Sequence, residues 1–338
     1  MMAELAPYIS IFLGVLILSF LATGLCIKIS KKIGLVATPN DRTLHSGDKP
    51  LGGGAPVIGL SLIAWYFLAG PLEAVHVALL AGTIILASIS LIDDFDVVRA
   101  SIRFSLQFLV VAGCLYFLPD DQYVIWSQWP IYVDRLVTGF CWLWFINLYN
   151  FMDGIDGLAS TETIAICIGV VLIGSLVGLQ PALVILAALL AFSMAGFLPW
   201  NWYKSRIMLG DFGAVPTGFL LGFLLINLAM EGYLIAALLL PLYFVADASI
   251  TLIGRVFRGE EFWTPHNKHF YQKATKSGLR HDQVVYLVIA ANIIFVSAAW
   301  LSLSNMMLAI SIAVLTLGLL LLYLFMLSRR PEASPKTL

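Results

Sequence analysis

Eleven apolar runs follow one another along the chain, each close to the roughly 20 residues that an α-helix needs to cross a hydrocarbon core. They lie near residues 7–27, 53–69, 74–92, 103–118, 131–149, 159–178, 181–198, 213–230, 232–253, 283–302 and 305–328. A soluble fold of 338 residues could not hide that much apolar surface. Composition agrees: 60% of residues are hydrophobic, 12% are charged, and mean hydropathy is +0.94. Ordinary soluble domains carry about 25% charged residues. The solvent is therefore lipid, and the expected fold is an all-α integral membrane protein of about eleven transmembrane helices.

Charge placement tests that count. With the N-terminus periplasmic and the C-terminus cytoplasmic, eighteen of the nineteen Lys and Arg residues fall in cytoplasmic segments. Only Arg135 falls outside. A missed or invented span would break this partition. No linker, low-complexity tract or convincing repeat interrupts the chain, so residues 1–338 read as one polytopic domain with a cytoplasmic His-containing loop at 254–282. Net charge is −1, which argues against a nucleic-acid partner. Cys26, Cys114, Cys141 and Cys167 sit singly in apolar runs and read as core residues, not as metal ligands or disulfides. The first run is long enough to span and follows Glu4 where a signal peptide would carry basic residues.

The clusters of polar and glycine residues all lie on the cytoplasmic side. Asp41-Arg42-Thr43-Leu44-His45 leads into Pro50-Leu51-Gly52-Gly53-Gly54. Glycines let backbone amides approach a phosphate, although helix packing in membranes also uses them. Asp93 and Asp94 end the third run, and adjacent carboxylates there repel unless a cation or proton relieves them. Asn147, Asn150, Asp153 and Asp156 recur every third residue, which on a helix places them on one broad face suited to metal or polar ligands. Asp211 stands between Gly210 and Gly213 beside Lys204 and Arg206, a setting for a metal ligand next to phosphates. Asp247 is an intramembrane acid and so a functional candidate. His266, Lys268 and His269 could bind a pyrophosphate by charge and hydrogen bonds.

With these residues in hand, nearly the whole chain resembles the polyprenyl-phosphate N-acetylhexosamine-1-phosphate transferase superfamily. The resemblance rests on Asn-x-x-Asn-x-x-Asp-Gly-x-Asp-Gly at 147–157, the paired Asp at 93–94, Gly-Asp-x-Gly at 210–213 and His-x-x-His at 266–269. The His loop and the Asp-Arg-Thr-Leu-His block resemble the bacterial branch that begins O-antigen chains. The resemblance implies a bacterial inner-membrane enzyme with its active site at the cytoplasmic face. Mg²⁺, with Mn²⁺ as the alternative, would be held by Asp211 with Asp93. Undecaprenyl phosphate would sit near Asp93 and Asp94. A UDP-N-acetylhexosamine would sit over Asn147, Asn150, Asp153, Asp156 and the His266/His269 loop, with Arg206 and His45 among its contacts. Asp93, Asp94 and Asp211 are the expected catalytic residues. Three positions depart from the family pattern: Met208 where a Phe is common, Ala214 where a Ser is common, and two loop histidines instead of three.

The sugar is open between N-acetylglucosamine and a 6-deoxy N-acetylhexosamine, and a homodimer is compatible with the sequence. Two other classes compete. A polytopic transporter would place its polar residues near the midplane, not at one face. A CDP-alcohol phosphatidyltransferase would continue its Asp-Gly motif along one helix, and nothing after Gly157 does so.

Overall fold

A computed structural model describes residues 6–37, 47–260 and 266–329. Each apolar run coincides with helix, because backbone N–H and C=O groups in hydrocarbon have no partner but the chain itself. In order the helices are α1 (Ile9–Ile33), α2 (Gly54–Leu68), α3 (Ala74–Phe95), α4 (Ala100–Tyr116), α5 (Ile131–Met152), α6 (Leu158–Val177) and α7 (Pro181–Asn201). Then come α8 (Asp211–Leu228), α9 (Leu234–Leu239), α10 (Leu242–Phe257), α11 (Phe270–Lys276), α12 (His281–Leu301) and α13 (Met306–Ser328). The only strands among the described residues are β1 (Val36–Ala37) and β2 (Lys49–Pro50), antiparallel with Val36 opposite Pro50.

Seven helical segments among the described residues are long and apolar enough to cross a membrane: α1, α3, α6, α7, the stretch Asp211–Leu239, α12 and α13. Helices α2 and α4 are apolar but shorter. Helix α5 opens with Asp134 and Arg135 and is not among the seven, nor is α10. The fold is thus all-α and multi-pass.

Helices α7 and α8 form the centre. In α7, 72% of the apolar window is buried inside the protein, against 22% in α1 and 28% in α13. The rim helices instead turn Leu13, Leu21, Leu25, Leu315 and Leu319 outward, as a lipid-facing surface requires. Trp142 of α5 stacks on Phe219 of α8 at 4.8 Å between ring centroids, fixing those two helices side by side. Helix α2 crosses the start of α8 so closely that a Cβ built on Gly54 would lie 2.1 Å from the Gly213 Cα. Only two glycines permit that approach. Between α8 and α10 the helical path breaks twice, at Gly232 (φ 91°) and at Leu240–Pro241.

These packings bring one set of helix ends together. The ends of α3 and α5, the start of α8 and the segment after β2 meet at one end of the bundle.

Candidate active site

Asp94, at the end of α3, accepts hydrogen bonds from the backbone N–H groups of Asp211 (3.2 Å) and Phe212 (3.2 Å). These amides have no partner within α8, so a side chain from another helix caps it and meets its positive end. Gly210 precedes the cap at φ 75°, where a Cβ would lie 2.9 Å from the Asp94 carboxylate. Both the backbone angle and the space require glycine there. Asp93 turns the other way. It accepts from the Val98 N–H (2.7 Å) and pairs with Arg103 of α4. The same Arg103 nitrogen reaches Asp211 at 3.1 Å, and Asn150 also hydrogen-bonds to Asp211. One guanidinium therefore holds the two carboxylates expected to bind a metal. Asn147 donates to Gln107 of α4 (2.9 Å) and to the Leu143 carbonyl, so its amide fixes α5 against α4.

Asp153 follows the last turn of α5. No Lys, Arg or His pairs with it among the described residues. Burial pushes its carboxyl well above the ordinary carboxylate range, and the neighbouring Asp211, Asp156 and Asp94 push it further. This is excess negative charge that a proton or a cation would relieve. Asp153 lines a small cavity of about 10 Å³ with Gly154, Ile155, Asp156, Asn201, Met208 and His281.

Asp156 has the opposite electrostatics. Lys49 Nζ lies 2.7 Å from one of its oxygens, and Ser205 donates to it from both Oγ (2.6 Å) and backbone N (3.1 Å). His281 Nδ1 lies 3.2 Å from the second oxygen. Burial alone would raise this carboxyl, but the contacts from His281 and Lys49 outweigh it and hold the group below the ordinary range. Lys49 also donates to Ser205 Oγ at 2.8 Å. Asp156 is thus a clip joining β2, the loop after α7 and the start of α12.

The His loop is anchored from inside. Asp247 of α10 is fully buried and accepts from Tyr243 (3.1 Å) and from the N–H groups of Phe270 (3.0 Å) and Tyr271 (3.3 Å). His269, also buried, lies 3.4 Å from the same carboxylate. The intramembrane acid thus docks α11 and its histidine onto α10. The His266 ring lies 4.8 Å from that of His269, tilted against it. Burial, then His269, Arg255 and Lys268, lower its pKa to about 4. At neutral pH it is a hydrogen-bonding group, not a charge. Lys268 (2.7 Å), Arg258 (3.1 Å) and Arg255 (2.9 Å) converge on Glu260 and hold its carboxyl down at about 2.

Of the residues singled out in the sequence, Asp93, Asp94, Asn150, Asp153 and Asp211 meet in one place, with Asp156 adjoining. Arg206 does not join them: its guanidinium lies 5.5 Å over the Trp200 ring, on the other side of the segment. Two amides of the glycine run are engaged within the protein instead of facing a ligand. Gly53 and Gly54 donate to the carbonyls of Met208 and Leu209, both at 3.0 Å. His45 and the rest of the Asp41–His45 block lie outside the described residues. The pairing of Arg103 and the roles of Lys49, Gln107, Ser205 and His281 went unread. Their types are common, and their partners are 40 to 156 residues distant in most cases, so no local spacing announces them.

The donor set suits a hard divalent cation, being oxygen-rich and short of positive charge. No three His, Cys, Asp or Glu side chains among the described residues already surround one point. As arranged, Arg103 compensates Asp93 and Asp211, and Asp153 is the carboxylate left over.

The profile of glycosyl transferase family 4 matches residues 76–229, which contain α3 to α8 and every carboxylate just described except the Asp247 anchor and Glu260. The chain is similar to the probable undecaprenyl-phosphate N-acetylglucosaminyl 1-phosphate transferase of Bacillus subtilis, 24% identical over 86% of each chain. It is also similar to the decaprenyl-phosphate N-acetylglucosaminephosphotransferase of Mycobacterium leprae, 28% identical over 80% of this chain and 78% of the relative. A third relative is the undecaprenyl-phosphate alpha-N-acetylglucosaminyl 1-phosphate transferase of Escherichia coli K12, 26% identical over 84% of this chain and 79% of the other. The profile and these relatives agree with the sequence motifs: from α3 to α8 the chain is similar to glycosyl transferase family 4, and over most of its length to polyprenyl-phosphate N-acetylglucosaminyl 1-phosphate transferases.

Proposed function

We propose that the protein transfers an N-acetylhexosamine-1-phosphate from a UDP-sugar to undecaprenyl phosphate, releasing UMP at the cytoplasmic face of a bacterial inner membrane. The observation that carries this reading is the meeting of Asp93, Asp94, Asp153 and Asp211 with Arg103 at one end of an apolar bundle. A donor from water and an acceptor from lipid can both reach that place. The charge partition of the sequence supports eleven spans with the N-terminus outside. Initiation of an O-antigen is the pathway step that the His loop favours, and the sugar is N-acetylglucosamine or a 6-deoxy relative.

A phosphate oxygen of the lipid attacks the β-phosphorus of the donor, and the UMP oxygen leaves. One pyrophosphate bond breaks and one forms, so the step is nearly balanced. A phosphomonoester has a second pKa near 6 and is already mostly dianionic at pH 7. The site therefore needs positioning and charge neutralisation more than a base. Asp211 and Asp93, with Asp153 beside them, would hold Mg²⁺, whose charge would neutralise the pyrophosphate. Arg103 orients Asp93 and Asp211 and limits their repulsion. Asn147, held by Gln107, keeps the end of α5 in register. An apolar cleft of about 230 Å³ lined by Trp142, Phe145 and Leu148 of α5 and Leu225 of α8 offers room for isoprene units of the acceptor.

UMP release from a panel of UDP-N-acetylhexosamines, with and without undecaprenyl phosphate and Mg²⁺, tests the proposal alongside Asp211→Asn. Release that needs lipid, metal and Asp211 supports it, and the best donor names the sugar. Folded protein that releases no UMP from any donor in the presence of lipid refutes it.

A further inference from the structure

A second concave site lies at the same end of the bundle, behind the Asp156 clip. It is a cavity of about 420 Å³ lined by Phe20 of α1, Trp200 at the end of α7, and Trp202, Tyr203, Lys204 and Arg206 of the following loop. None of the reaction chemistry described above uses it.

Its walls are fixed. The Trp200 indole N–H donates to the Phe20 carbonyl at 2.9 Å, and its ring packs over Gly24 of α1. The Arg206 backbone N–H donates to the Trp200 carbonyl at 2.8 Å, folding the loop back on the helix end. The Arg206 guanidinium is thereby carried over the Trp200 ring. Trp202 is set edge-on against Tyr286 of α12 at 5.4 Å. Tyr203 packs 5.5 Å from the His281 ring on its far side.

Its charge has one sign. Among the described residues, Lys204 and Arg206 line it and no carboxylate does. Lys28 stands on the Phe20–Gly24 stripe of α1, eight residues beyond Phe20 and so about two turns further along. Fixed aromatic rings beside exposed cations at the end of membrane helices form an interfacial setting, where headgroups lie. The cations argue against a quaternary ammonium, which aromatic rings alone would favour. The geometry points to a binding site for the phosphate headgroup of an anionic membrane phospholipid, with Arg206 and Lys204 as its phosphate contacts and Trp200 as its floor. Tyr203 then links headgroup occupancy to His281 and so to the Asp156 clip.

Native mass spectrometry of the full-length protein in detergent tests this. Phosphatidylglycerol and phosphatidylcholine of identical acyl chains are titrated in separate arms, and inorganic phosphate is added as competitor in a third. Phosphatidylglycerol is expected to be retained at tenfold or more lower concentration than phosphatidylcholine. The double variant Lys204→Gln/Arg206→Gln should lose that preference, since each basic residue near an anionic headgroup contributes several-fold. A double variant of exposed cations outside the cavity, Lys31→Gln/Lys32→Gln, should keep it. Trp200→Phe, which deletes the indole donor while keeping a ring, should weaken retention by a smaller factor. Equal retention of the two lipids, or full preference in the Lys204/Arg206 variant, overturns the proposal. Complete displacement by millimolar inorganic phosphate would also overturn it, assigning the cavity to a soluble anion.

Discussion

Replacing Lys49 isolates the clip that joins β2 to the loop after α7 and the start of α12. Its ammonium lies 2.7 Å from Asp156, and the two side chains are 12% and 7% exposed. At an effective dielectric of 20 the gross attraction at that separation is about 6 kcal/mol. Desolvation offsets much of it, and removing one partner of a buried pair costs about 3–5 kcal/mol because the other charge is stranded. Ser205 and His281 still hold Asp156 after the change, which places Lys49→Ala at the lower end, about 3 kcal/mol. Lys49→Met keeps much of the packing and should cost nearly the same. Combining it with Asp156→Asn removes the stranded charge, so the double variant should be more stable than the sum of the singles by about 2 kcal/mol. Unfolding by SDS titration in mixed micelles measures all four corners of the cycle. Because the Asp156 pKa is depressed, its contribution is present above the unfolded carboxylate pKa and is lost only as pH falls through the still lower folded value. The coupling should therefore be unchanged by Asp156 ionisation between pH 5 and 8. Singles within about 0.5 kcal/mol of the parent, or strictly additive effects, would refute the reasoning.

Other expectations follow from the same geometry. Arg103→Gln leaves Asp93 and Asp211 without their shared guanidinium and should lower UMP release by about 10²–10³, with little change in folding; activity within threefold of the parent would contradict the role given to Arg103. Gly54→Ala drives a Cβ against the Gly213 backbone and should cost about 1–3 kcal/mol, read as a lowered midpoint of unfolding, whereas Gly59→Ala on the same helix meets no atom within 4 Å and should be neutral. His266, with its pKa held at about 4, binds fewer protons folded than unfolded, so its contribution to stability is present above the ordinary histidine pKa and declines as pH falls toward 4. His266→Gln should flatten that part of the stability profile between pH 6.5 and 4; an unchanged profile would show that another group is responsible.

How much was legible follows the physics of each signal. Hydropathy located the long helical runs, because lipid allows few alternatives to a helix, but not α11, whose seven residues are mostly polar. It ended one run at 230 and began the next at 232, where Gly232 breaks the path, but it gave no sign of the second break at Leu240–Pro241, which sits in apolar sequence. Spacing grouped Asn147, Asn150, Asp153 and Asp156 as one face, but the helix ends at Met152 and the last two leave it. That is why Asp153 is uncompensated while Asp156, three residues on, is saturated by Lys49, Ser205 and His281. The glycine run could be read as a phosphate cradle or as helix packing, and Gly54 serves the packing, letting α2 lie against the start of α8. Asp247 announced itself as an intramembrane acid, yet its partners show an anchor for α11. Contacts of this kind depend on tertiary placement, which residue type and local period do not encode.

The cap that Asp94 places on α8 also divides the site mechanically. Two carboxylates, one from each of two core helices, are locked in register by hydrogen bonds that sliding would break. Changes in bilayer thickness that tilt α3 must carry α8 along with it. The carboxylate floor thus behaves as a single rigid plate. Whatever motion admits a bulky donor and releases UMP then falls to the part built on loops, where Asp247 of α10 and the Phe151 carbonyl hold the start of α11.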